Sequence, residues 1–323
     1  MRVFSRGYLA TAMNRLYLAG RSHKFVLALA LVACTSIGAA QTNQTFATPE
    51  EAVAALVAAA DKQDSDALHN IFGAAAPEME SPDQVQADNE QNAFARSLNQ
   101  GTQIVRESDS RCTIEVGDRH WPFPIPIVKK DGRWFFDTQA GKEEVLNRRI
   151  GKNELATIHV LRACVEAQRE YAAEDHDGHD VLEFAQRLTS TPGTKDGLYW
   201  PPDLDGEISP LGPLVARAQH LGYGNQPQDA QAGEPFHGYY FKILARQGSH
   251  APGGKYTYII NGNMIAGFAF VAWPASYGQS GIMTFIVNQR GRIYQKDLGP
   301  KTAKLAEDMK EYDPDETWTL SPD

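Results

Sequence analysis

The chain has 323 residues, 42% of them hydrophobic and 22% charged, a globular composition with enough apolar material for one or two cores. It carries 31 basic and 40 acidic residues, and five of the basic ones fall in the first 40 positions, so the remainder holds 26 basic against 40 acidic, a formal net charge of −14. Such a surface repels phosphate backbones and anionic membranes, which argues against nucleic-acid binding and leaves cations, glycans and envelope proteins as partners.

Residues 1–40 contain Arg2, Arg6, Arg15, Arg21 and Lys24 with no acid, then an apolar run from Phe25 to Ala33, then small residues ending Gly38-Ala39-Ala40. These are the three parts of a secretory signal peptide, with cleavage expected after Ala40. The run is shorter than the roughly 20 apolar residues a spanning helix needs, so no transmembrane span is expected once the leader is removed. Leu31-Val32-Ala33-Cys34 also resembles a bacterial lipobox, which makes Cys34 a candidate lipidation site. Either route places the mature chain in the periplasm or outside the cell. Cleavage after Ala40 leaves Cys112 and Cys164, which an oxidising compartment would allow to pair as a disulfide. Two buried free thiols are the alternative.

The mature sequence opens on Thr48-Pro49-Glu50-Glu51, a capping threonine, a proline at the first helical position and a glutamate at the third. Ala52, Val53, Leu56, Val57 and Ala60 then give one apolar helical face. A short helix is expected over 67–72, a polar loop over 74–92 and a helix near 92–98. Strands are expected at 103–107, 112–116, 125–128 and 134–137, with Asp131-Gly132 as a tight turn between the last two. The order resembles the cone-shaped nuclear-transport-factor-like domains, whose mouths hold a ligand or nothing.

A second unit is expected from residue 151, with Asn153 capping a helix that runs to about Ala173 and a helical pattern resuming over 181–188. The segment 189–238 is rich in Gly and Pro, with one short helix over 211–221. Strand patterns follow at 239–245, 256–260, 264–272, 283–288 and 292–296, with turns at Asn261-Gly262 and Gln289-Arg290-Gly291 and a closing helix near 302–312. The fold class read from this order is α+β: a signal peptide (1–40), a small helix-plus-antiparallel-meander domain (41–150), and a domain of one long helix on an antiparallel sheet (151–323). The last of these, residues 151–323, resembles the globular part of type IV pilins and pseudopilins, residues 281–299 looking like that fold's final hairpin.

Several separated motifs occur in order: Asp196-Gly-Leu-Tyr-Trp-Pro201, Pro235-Phe-His-Gly-Tyr-Tyr-Phe241, Ala251-Pro-Gly-Gly254, Ile260-Asn-Gly262, Ala272-Trp-Pro274 and Gly281-Ile-Met-Thr-Phe-Ile-Val-Asn288. Together they resemble domain-of-unknown-function family 2950, over roughly residues 45–320. The resemblance implies a secreted or envelope bacterial protein without an established activity.

Glu174 to Asp180 holds six ionisable side chains in seven positions. Numbered as a calcium loop from Asp175, it places Asp177 at position three, His179 at five and Glu183 at nine, so these four are the candidate metal ligands and Ca2+ the candidate cofactor. His179 at five, Asp180 where a loop glycine belongs and Gln186 at twelve each weaken the pattern. His176 and His179 suit zinc instead, and a solvated acidic turn is the third reading. Tyr199, Trp200, Tyr239, Tyr240 and Trp273 form an aromatic-rich group, either a ligand-binding face for sugar or peptide or ordinary core. No nucleophile elbow or phosphate loop is present, and a catalytic reading rests on whether His120, His237 and Asp196 converge. The sequence therefore favours a non-catalytic envelope binding or assembly module over a periplasmic hydrolase or a calcium-stabilised structural protein.

Overall fold

The computed structural model describes residues 43–176, 178–202, 206–224 and 235–322. The expected leader, its expected cleavage site at Ala40 and Cys34 lie outside the described residues, as does Asp177. The fold is mixed α+β with antiparallel sheets, and it contains two hydrophobic cores.

The first core begins where the capping pattern places it. Thr48 caps α1 (Pro49–Asp61) by accepting from the Glu51 amide at 3.1 Å, and Glu51 accepts in return from the Ala47 amide at 2.9 Å. Asp64 caps α2 (Ser65–Phe72), a 3-10 turn leads into α3 (Ala76–Met79), and Asp83 caps α4 (Gln84–Gln100). Helix α4 starts inside the stretch expected to be loop, because its polar faces hide the apolar period while the Asp83 cap sets its start. The strands β1 (Thr102–Ser108), β2 (Arg111–Val116), β3 (Trp121–Pro122), β4 (Ile127–Lys130) and β5 (Arg133–Phe136) form one sheet in the order β1-β2-β4-β5, with β3 also on β2. Asp131 (φ 49°) and Gly132 (φ 77°) make the tight turn between β4 and β5 that Asp-Gly favours.

Helix α5 (Thr138–Tyr171) runs without a break across residue 150, and this corrects the expected helix start at Asn153. Its cap is Asp137, which accepts from the Ala140 amide at 3.1 Å. Gly141 and Gly151 suggest interruption, but 34 residues stay helical because each half packs on a core. Thr138, Gly141 and Val145 face the first, whereas Ile158, Leu161, Cys164 and Val165 belong to the second. Asn153 is fully buried and hydrogen-bonds to Ser280 instead of capping anything.

The second core is built on a five-stranded antiparallel sheet, order β14-β13-β12-β11-β6, from β6 (Tyr239–Leu244), β11 (Ala269–Pro274), β12 (Met283–Asn288), β13 (Ile293–Asp297) and β14 (Thr319–Leu320). Two small ribbons sit between β6 and β11: β7 (Arg246–Gln247) with β8 (Tyr256–Thr257), and β9 (Ile259–Ile260) with β10 (Asn263–Met264). All six residues of β11 are buried, so both its faces are covered, and α5 and α7 (Thr302–Asp308) both pack against it. Helix α6 (Gly212–His220) matches the short helix expected there. Residues 181–188 are not helical. Gln168 holds Ala185 there as a strand neighbour would, donating to its carbonyl and accepting from its amide, both at 2.8 Å.

The two cysteines occupy different cores. Cys112 is buried in the first and Cys164 in the second, and both are free. The disulfide expectation therefore gives way to two separately buried thiols. Among the described residues no helix is long and apolar enough to cross a membrane.

Candidate functional site

The site that emerges lies over the first core, where sequence gave an outline and no residues. Helix α4 contributes Glu90, Phe94, Ser97 and Gln100, and α5 contributes Val145, Arg148, Arg149 and Lys152, each set at the three- and four-residue steps of one helical face. Between them the chain leaves β2, turns through Gly117 (φ 71°) and His120 (φ 51°), and returns as β3 with Val116 opposite Trp121. The Gly117 amide ties this turn to the Gly101 carbonyl at 2.9 Å. The three segments line an open cavity of about 1080 Å3.

Its floor is apolar. Phe94 and Phe123 stack with centroids 5.0 Å apart, and Phe123 continues into Phe72 and Phe136 of the core. Its mouth is charged. The Arg148 guanidinium lies 4.6 Å over the ring of Trp121, an indole that is 44% exposed. Arg148 is held by the Pro122 carbonyl at 3.0 Å and by Glu144 at 2.6 Å. Arg149, 6% exposed, spends its terminal nitrogens on the carbonyls of Met79 and Glu80, and its Nε has no hydrogen-bond partner. Burial lowers the Arg149 pKa, and Glu90, 3.7 Å from that Nε, opposes the shift. The same Glu90 pairs with Lys152 at 3.2 Å. On the rim, His120 pairs with Glu115 at 3.2 Å.

The residues singled out in the sequence lie elsewhere. Asp175 closes its own turn, accepting the amides of Gly178 and Asp180 at 2.9 and 2.8 Å. Glu183 accepts the Met264 amide at 2.8 Å, and Gln186, at the twelfth position, donates to the Gly262 carbonyl at 2.7 Å. His176 is packed between Tyr171 and Trp200, 4.3 and 5.3 Å from their rings. His179 lies on the exposed side of the turn. Among the described residues no group of three or more His, Cys, Asp or Glu could hold a metal ion.

Four of the five aromatic candidates are core residues: Tyr199, Trp200, Tyr239 and Trp273 are 6% exposed or less, and only Tyr240 is half-buried. The four are buried in the second core and present no shelf to a ligand. His120, His237 and Asp196 do not share a site. His120 pairs with Glu115, His237 packs on Phe236, and Asp196 closes a loop by accepting from Thr191 and Thr194.

Residues 43–320 match the family described as protein of unknown function DUF2950. The chain belongs to DUF2950. No curated protein and no solved structure matches it. The cavity and both cores of this DUF2950 member fall within the matched residues.

Proposed function

We propose that this DUF2950 member is an exported bacterial envelope protein, periplasmic or secreted, that binds a small ligand without transforming it, and that the cavity over the first core is the binding site. The observation that carries the reading is the cavity itself: about 1080 Å3 with an apolar aromatic floor and a few convergent charged groups at the mouth, the composition of small-molecule sites. The basic, apolar and small-residue segments of residues 1–40 support export, with a lipid at Cys34 as the anchored variant. Binding is favoured over catalysis because Ser97, the only hydroxyl side chain among the described lining residues, donates to the Ala93 carbonyl of its own helix and pairs with no base among them.

The test is native mass spectrometry of the protein purified from the envelope of its own cells, beside Ser97→Trp, which fills the cavity from α4. The expected result is a mature N-terminus at Gln41 or a lipidated Cys34, with a small-molecule adduct in the wild type that is missing from Ser97→Trp. A chain retaining its leader in the cytoplasm, or the same adduct in both proteins, would tell against the proposal.

A further inference from the structure

We propose that the ligand is a small organic acid, one anionic group on a flat apolar body, with the anion held at Arg148 and Lys152 and the body laid on Phe94 and Phe123. This rests on the reading of the cavity as a binding site. Three observations carry it.

The first is charge. Arg119, Arg148, Arg149 and Lys152 line the cavity with Glu90 and Asp118, and Glu144 and Glu115 pair with Arg148 and His120 at its edge, so charge is balanced here on a chain whose mature part is strongly acidic. Such a basin repels anions less than the acidic surface around it. The second is donor supply. Glu90 is the shared carboxylate of Arg149 and Lys152, so two cations divide one anion. Arg148 uses Nε on Glu144 and Nη1 on Pro122, and its Nη2 makes no hydrogen bond among the described residues. A guanidinium fixed by two bonds and seated on Trp121 is pre-organised to meet a carboxylate or phosphate oxygen. The third is the floor. The half-buried ring of Phe94, backed by its stack on Phe123 and with Val145 also half-buried, lines the same cavity as these donors and offers area to a flat apolar group. A purely inorganic anion would leave that floor wet, and a neutral apolar molecule would leave the cations unused.

The experiment titrates the mature protein by calorimetry with three probes of one shape: naphthalene-2-carboxylate, naphthalene-2-carboxamide and naphthalen-2-ylmethylammonium. The expected result is that the carboxylate binds about tenfold more tightly than the amide, the increment of one charge-assisted contact, and that the ammonium binds most weakly. Raising the salt concentration should shrink the difference. Arg148→Gln should bring the carboxylate's affinity down to that of the amide, abolishing the preference, and Lys152→Gln, on the exposed side of α5, should reduce it where Arg148→Gln fails to fold. Ser97→Trp should block all three. Equal binding of the three probes, blocked by Ser97→Trp, would overturn the anion assignment and leave the cavity reading standing. No binding, or binding indifferent to Ser97→Trp, would overturn both.

Discussion

The phenol of Tyr223 donates to a carboxylate oxygen of Asp83 at 2.8 Å, across 140 residues of sequence, and the Gly238 amide donates to the same oxygen at 3.0 Å. The other oxygen of Asp83 accepts the Gln86 amide at 2.9 Å and caps α4. Beside it, Gln86 donates to Asn153 at 2.6 Å, and Asn153 donates to the Ser280 carbonyl at 2.9 Å. A continuous buried polar seam thus joins the start of α4, the middle of α5 and the loops flanking β6 and β12. A buried network stabilises one arrangement only when every member is satisfied, so this seam selects how the two cores meet along α5.

Replacing Asp83 should be among the most damaging single changes in the protein. Asp83→Ala leaves the Tyr223 hydroxyl and the Gly238 amide without an acceptor and removes the α4 cap, at an expected cost of about 3–5 kcal/mol. Tyr223→Phe deletes one donor to Asp83, which keeps two amides, and the acceptor of the His237 amide at 3.3 Å, and should cost about 1–2 kcal/mol. Urea unfolding of the three proteins measures both, and an Asp83→Ala midpoint equal to wild type would remove the seam from the account.

The seam also predicts a pH dependence. Burial, more than any other cause, pulls the His237 pKa below its ordinary value of 6.5, with Lys152 and Arg217 acting in the same direction and Asp83 against them. The folded state therefore binds this proton less readily than the unfolded chain. Its contribution to stability is present above pH 6.5 and is lost as the pH falls below it towards the folded-state value. His237 sits at φ 51°, which asparagine tolerates, so His237→Asn should fold and should lose less melting temperature than wild type between about pH 7 and pH 5. Parallel curves for the two proteins would show that His237 titrates as in the unfolded chain.

The thiols give a prediction that separates two buried cysteines from a disulfide. Burial raises the Cys112 pKa and pushes that of Cys164 up to about 12, so neither offers thiolate at neutral pH. In the mature protein an aromatic disulfide reagent should label neither thiol in the folded state and both in denaturant. Dithiothreitol should leave the melting temperature unchanged, whereas a drop on reduction would mean that the chain is cross-linked.

Much of this architecture was legible because the chemistry is local. Thr48 and the Asp131-Gly132 and Asn261-Gly262 turns act within four residues, and the structure places each at its expected boundary. What failed required knowing the partner. Residues 181–188 carry a helical apolar spacing, yet Gln168 from α5 takes the backbone of Ala185, and Met264, Leu198 and Tyr199 take those of Phe184, Arg187 and Leu188. The aromatic candidates had the right chemistry for a ligand face, but only the sheet reveals that four of them point into the core. The cavity left two traces, the faces 90/94/97 and 145/148/149/152. Nothing in either says that the two helices confront one another across a β-turn.

The two glycines that disguised α5 should respond to alanine in opposite directions. A Cβ on Gly141 would lie 2.7 Å from both the Ile125 Cα and the Pro124 carbonyl oxygen, backbone atoms that cannot move without shifting the segment between β3 and β4. Gly141→Ala should therefore destabilise by about 2–3 kcal/mol, as overpacking against backbone does. A Cβ on Gly151 meets nothing within 4 Å, and the residue lies in a helix interior. Gly151→Ala should stabilise by about 0.5–1 kcal/mol, since alanine loses less backbone entropy on folding. Differential scanning calorimetry of the two variants reads both signs. A destabilising Gly151→Ala would mean that the chain needs glycine's freedom at residue 151, and the single helix that spans both cores would have to be broken there.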